Sequence, residues 1–167
     1  SRGLSVVQGD ADQDLDHFPD RTFDYAILSQ TLQATRRPRH VLDELLRIAD
    51  RAVVSFPNFG HWRVRWSLLH RGRMPETEAL PLPWWSTPNI HLCTLADFLA
   101  LTEDLGVRID ACAAFAGNGS ARQIDPTKAI ENWRAESCLF MLSRNPPPVQ
   151  SLARTEPPAT SGDLFDG

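Results

Sequence analysis

The chain has 167 residues, 42% of them hydrophobic and 23% charged, which is ordinary usage for a globular domain with room for a real core. Net charge is -4 at neutral pH, so a general nucleic-acid binder is disfavoured. No run of about 18 apolar residues offers a transmembrane helix, and no charged-then-apolar leader opens the chain, so the expectation is a cytoplasmic protein. The three cysteines lie far apart and form no CxxC pair, which suggests neither a disulfide framework nor a zinc site.

In chain order, Leu4-Ser5-Val6-Val7 reads as a short buried strand closed by Gly9-Asp10. A polar, acid-rich loop with Asp12, Asp14, Asp16 and Asp20 follows. Phe23 to Ser29 is nearly continuously apolar, the pattern of a strand covered on both faces. Pro38 to Ala49 is an amphipathic helix. Pro suits its first turn, and Val41, Leu42, Leu45, Leu46 and Ile48 share one broad face. Arg51 to Phe56 is a second buried strand. Strand, helix and strand in this span make a βαβ unit with parallel strands.

Residues 57–88 carry Trp62, Trp66, Trp84 and Trp85 among prolines and Arg63, Arg65, Arg71 and Arg73. A helix from Trp62 to Leu69 and a long ordered excursion are expected. Long irregular excursions in compact domains are often functional, and Arg beside Trp suits either a protein interface or a solvated surface. Thr94 and Asp97 have capping-box spacing. Leu95, Phe98, Leu99, Thr102 and Leu105 form the helix face behind them, and Gly106 is placed to end that helix. Val107 to Phe115 alternates, putting Val107, Ile109, Ala111, Ala113 and Phe115 on one side of a strand. A short helix is expected near Ala129 to Trp133 and a last strand over Ser137 to Ser143. Residues 145–167, with five prolines and few apolar residues, read as a disordered tail after a domain spanning 1–144.

This order predicts an open α/β sheet, in which ligands bind at the carboxyl ends of the strands. Asp10 is there either a turn residue after Gly9 or an acceptor for a ligand amine. Gln30 is either a cap or a donor and acceptor for a neutral polar group. His61 and His91 are the histidines beside dense polar motifs. His91 with Cys93 supplies two metal ligands, too few for a site, and no metal is expected. Neither GxGxxG, GxxxxGK[ST] nor GxSxG is present.

Four stretches in one order, Leu28-Ser29-Gln30-Thr31-Leu32-Gln33-Ala34, Ser55 to Trp62, Arg71-Gly72-Arg73-Met74-Pro75 and Thr87 to Thr94, together resemble the MetW family of methionine-biosynthesis proteins. That family is similar to class I S-adenosylmethionine-dependent methyltransferases. The resemblance spans roughly Gly3 to Arg144. It implies a class I methyltransferase-like, Rossmann-like open sheet, here incomplete because the first two strands and the cofactor loop would precede Ser1. Leu4–Val7 would then be the third strand of that fold. By the same match Asp10 and Ala11 lie near the adenine of S-adenosylmethionine and Ser29 and Gln30 near its methionine portion. Asn58 and His61 lie where a methyl acceptor would be oriented. The family is tied to homoserine O-acyltransferase, which implies a supporting role in that acylation, with Trp62 to Trp85 as the docking surface. The alternative is a methyltransferase acting on an unidentified small molecule. Nucleic acid and membrane are not expected as partners.

Overall fold

The computed structural model describes residues 9–117 and 119–144. The expected strand at Leu4–Val7 and the tail at 145–167 lie outside the described residues. Among the described residues five strands, β1 (Phe23–Ser29), β2 (Ala49–Pro57), β3 (Val107–Phe115), β4 (Ala121–Gln123) and β5 (Ser137–Arg144), form one sheet in the order β1-β2-β5-β3-β4. The helices are α1 (Pro38–Ile48), α2 (Trp62–Arg71), α3 (Leu95–Asp104) and α4 (Ala129–Arg134).

The β1-α1-β2 unit is parallel, with Ser29 opposite Ser55. β5 inserts antiparallel between β2 and β3. The chain therefore leaves β1, β2 and β3 at the same end of the sheet and enters β5 there. Thr94 caps α3 as its spacing predicts: its hydroxyl accepts from the Asp97 N–H at 3.2 Å, and the Asp97 carboxylate accepts the Thr94 N–H at 2.9 Å. Gly106 adopts φ +64°, the left-handed conformation that ends a helix with little strain in glycine.

One face of the sheet carries the core. Ala52, Val54 and Phe56 of β2, Cys112 and Ala114 of β3, and Cys138, Phe140 and Leu142 of β5 are buried with the inner faces of α1 and α3. Phe56 and Phe140 stack at 5.9 Å, and Phe98 of α3 lies 4.6 Å from each.

β1 is not covered on both faces: Phe23, Tyr25 and Ile27 are exposed, Ile27 at 72%, because α1 and α3 pack on the opposite side. The alternation of β3 also does not hold along its length. A bulge at Asp110 breaks the register between Ile109 and Ala111. One extra residue reverses the facing of everything after it. Val107 and Ile109 pack against the core, and beyond the bulge Cys112 and Ala114 replace Ala111 and Ala113. Asp110 itself accepts from Arg108 at 2.7 Å and from Ser143 at 3.1 Å.

Candidate functional site

Ser29, Ser55 and Ser137 converge where β1 and β2 end and β5 begins, since Ser29 pairs with Ser55 and Ser137 with Pro57 and Phe115. Together with Gln30, Glu78, Phe115 and Gly117 they line a cleft of about 370 Å³. The Ser29 and Ser55 hydroxyls are 3.3 Å apart. Gln30 turns the chain sharply at φ +51°, with its N–H donating to the Ser55 carbonyl at 2.9 Å. Its side chain is left exposed at the rim. Gln30 is therefore the turn residue itself, and its amide remains available to a ligand.

The acid-rich loop resolves into two roles. Asp10 is exposed, and its carboxylate accepts from the Asp12 N–H at 2.9 Å and from the Gln13 amide at 3.0 Å. The Asp10 N–H in turn donates to Asp14 at 2.6 Å. Asp10 thus ties its own turn together, and Ala11 beside it packs partly on the core. Neither lines the cleft that Ser29 and Gln30 share. Asp12 is the structural acid, a role its sequence context hides. It is buried, and it accepts the N–H groups of Arg36 and Arg37 at 2.8 and 3.0 Å just before α1. Those backbone donors, Arg36 first, outweigh burial and hold its carboxyl below the usual aspartate range.

Asn58 is 1% exposed. Its amide donates to the Asn132 and Ala135 carbonyls at 2.9 and 2.8 Å and accepts from the Gly60 and Leu95 N–H groups at 2.9 and 3.0 Å. Two donors and two lone pairs are the whole capacity of a side-chain amide. All four are used within the chain, so Asn58 joins the β2 exit, α3 and α4. His61, at the start of α2, is 5% exposed. Burial lowers its pKa from the ordinary value, against the charge of Glu136 and with that of Arg63. Neither Asn58 nor His61 lines the cleft.

Three residues that the sequence did not single out hold the segments around the site. Gln33, 1% exposed, donates to the Pro57 carbonyl and the Cys93 thiol, both at 3.0 Å. Its backbone carbonyl accepts the Ile90 and His91 N–H groups, which fastens the returning excursion to the sheet. Glu136 is buried, and its Oε2 accepts the Gly117 N–H at 3.1 Å. Glu78 reaches from the excursion to Gly117: a Cβ built on Gly117 would overlap the Glu78 carboxylate. The serine spacing and the place of Glu78 in the excursion were visible. Their convergence depends on strand order and was not.

The excursion carries its tryptophans outward. Trp84 and Trp85 are each 71% exposed and Trp66 59%. Arg63 lies over the Trp62 ring at 5.5 Å, and Arg65 over Trp133 at 5.5 Å. Arg65 also donates to the Gly60 carbonyl at 2.6 Å. His91 is exposed, and among the described residues no three His, Cys, Asp or Glu side chains are grouped to hold a metal ion. Among the same residues no helix is long and apolar enough to cross a membrane.

Residues 1–142 match the family model described as "Methionine biosynthesis protein MetW". The chain belongs to the MetW family. A curated relative, the "Bifunctional methionine biosynthesis protein MetXA/MetW" of Rhodopirellula baltica, is 38% identical over 110 residues. That match covers 65% of this chain and 18% of the relative, so the chain spans less than a fifth of that protein's length. A solved S-adenosylmethionine-dependent methyltransferase from Thermotoga maritima superposes with TM-score 0.59 at 14% identity, covering 86% of this chain and 65% of that one. Another from Archaeoglobus fulgidus gives 0.53 at 13% identity, covering 84% and 68%. The fold is that of the class I methyltransferases, as the sequence resemblance implied.

Proposed function

We propose that this chain supports homoserine O-acyltransferase in the acylation branch of methionine biosynthesis, as a cytoplasmic docking partner. The observation that carries this reading is the bifunctional relative, in which MetXA and MetW share one polypeptide. We read its MetXA portion as the acyltransferase. Fusion holds two modules at high effective concentration, and separate chains need an interface to achieve the same. The Trp84, Trp85 and Trp66 surface supports such an interface. Large aromatics beside arginines are the residues in which interface energy concentrates, and these rings contribute little to the core. Arg65 is less suited to the test, since it also holds the Gly60 carbonyl.

The deciding experiment measures binding of the purified acyltransferase from the same genome. Trp84→Ala with Trp85→Ala should weaken it about 30-fold or more, one hot-spot residue being worth about 2 kcal/mol. The melting temperature should stay unchanged. Equal affinity for the double variant rejects the docking surface.

A second reading, methyl transfer to a small molecule, is favoured by the cleft at the carboxyl ends of the strands, where such sheets bind ligands. In it Ser29 and Gln30 hold the methionine portion of S-adenosylmethionine. Their hydroxyl and amide suit its polar groups, and the cofactor supplies an activated methyl. Asp10 and Ala11 would meet the adenine. Each Asp10 oxygen already accepts one hydrogen bond in its turn, so an adenine amine would use the remaining lone pairs. Asn58 and His61 act here as positioning residues. Asn58 sets the loop that carries His61, and the His61 imidazole, its pKa lowered by burial, lies within electrostatic reach of Glu136.

A further inference from the structure

The cleft has a chemical character that neither reading above uses. Among the described residues Glu78 is its sole acidic lining residue, and no Arg or Lys lines it. The arginines of the excursion face other grooves: Arg63, Arg71 and Arg73 line one with Trp62 and Trp66. The Glu78 carboxylate has no hydrogen bond or ion pair within the described residues. Behind it, Glu136 is nine-tenths buried with Oε1 unpartnered among the described residues. Its Oε2 holds the N–H of the same Gly117 against which Glu78 rests. Two carboxylates therefore flank one glycine. The rest of the wall is neutral: the Ser29, Ser55 and Ser137 hydroxyls, the Gln30 amide, and the apolar surface of Phe115, Ala79 and Leu139.

We propose that this cleft binds a small molecule carrying an ammonium group, with Glu78 as its counter-ion and the serine hydroxyls taking its polar remainder. A lone carboxylate or phosphate, with no ammonium of its own, would meet the Glu78 charge there and no Arg or Lys side chain among the described residues. An ammonium meets an unpaired carboxylate beside a buried one, and its apolar portion has Phe115 and Leu139 to cover it. Gly117 is part of the device, since any side chain there would push the Glu78 carboxylate out of its seat. The proposal rests on the cleft being an acceptor site, but its test needs no methyl transfer.

The probes are tyramine, tyrosol and 4-hydroxyphenylacetate, which share a phenol and differ in carrying an ammonium, a hydroxyl or a carboxylate. Each is titrated into the gene's full product while the Gly117 amide is followed by NMR. Tyramine should move the Gly117 resonance and bind roughly tenfold or more tighter than tyrosol, as one charge-assisted contact implies. 4-Hydroxyphenylacetate should not compete. Glu78→Gln should erase the preference for tyramine over tyrosol, and Gly117→Ala, which displaces the carboxylate without removing it, should weaken tyramine binding. Glu78→Gln should melt with the parent. Binding of the carboxylate probe, a preference that survives Glu78→Gln, or a silent Gly117 amide overturns the proposal. If tyramine binds through Glu78 while S-adenosylmethionine, titrated into the same protein by calorimetry, does not bind, the ammonium site stands and the methyl-transfer reading falls.

Discussion

Replacing Asn58 separates a structural from a catalytic role for this residue. Asn58→Ala removes four side-chain hydrogen bonds and strands two carbonyls and two N–H groups, those of Asn132, Ala135, Gly60 and Leu95. At about 1 kcal/mol net for each bond the loss is about 4 kcal/mol. In a chain of this size that lowers the melting temperature by roughly 10 °C. Asn58→Asp is the sharper test. It keeps the acceptor side but aims a carboxylate oxygen at two carbonyl oxygens where an NH₂ had donated to both. The fold then favours the protonated carboxyl, and burial adds to that preference. The folded pKa is raised above the unfolded value of about 3.9, so the penalty is full above the folded pKa and shrinks as pH falls through it. The assay is thermal unfolding of parent and both variants at pH 7.5 and pH 5. The gap between Asn58→Asp and the parent should narrow at the lower pH, while that of Asn58→Ala should not. An Asn58→Asp variant as stable as the parent at pH 7.5 would refute the reasoning.

Two further outcomes follow from the turns that flank β1. Asp12→Asn should destabilise the chain at neutral pH by about 2 kcal/mol, since it loses charged acceptance of the Arg36 and Arg37 N–H groups. Because the carboxyl is held below its ordinary value of 3.8, this contribution is present above that value and lost as pH falls through the lower folded one. Unfolding curves for variant and parent should therefore converge below about pH 4, and a constant gap would contradict the assignment. Gln30→Gly places glycine at φ +51° and should raise the melting temperature by a few degrees, relieving about 1 kcal/mol of left-handed strain. In the gene's full product the same variant should weaken S-adenosylmethionine binding in calorimetry. A fall in melting temperature would mean that the Gln30 side chain braces the turn.

Local chemistry made much of this protein legible in the sequence. β1, α1 and the capping box of α3 follow from apolar runs, helical spacing and Thr94 with Asp97, which act over three or four residues. The family could be recognised for a similar reason, because its motifs are contiguous stretches such as Ser55 to Trp62. Tertiary structure alone decided what depends on partners distant in the chain. Asp12 looked like one more solvated acid until the chain before α1 brought two N–H groups to it. Asn58 looked chemically available until Leu95, Asn132 and Ala135 consumed its amide. A single extra residue, Asp110, exchanged the buried side of β3, and the alternating pattern before and after it gave no sign of the change. Glu78, Gly117 and the three serines became one cleft because β5 runs antiparallel between β2 and β3, which brings Ser137 to the end where Ser29 and Ser55 finish. Strand order is set by the packing of the whole sheet, not by the residues of any one strand.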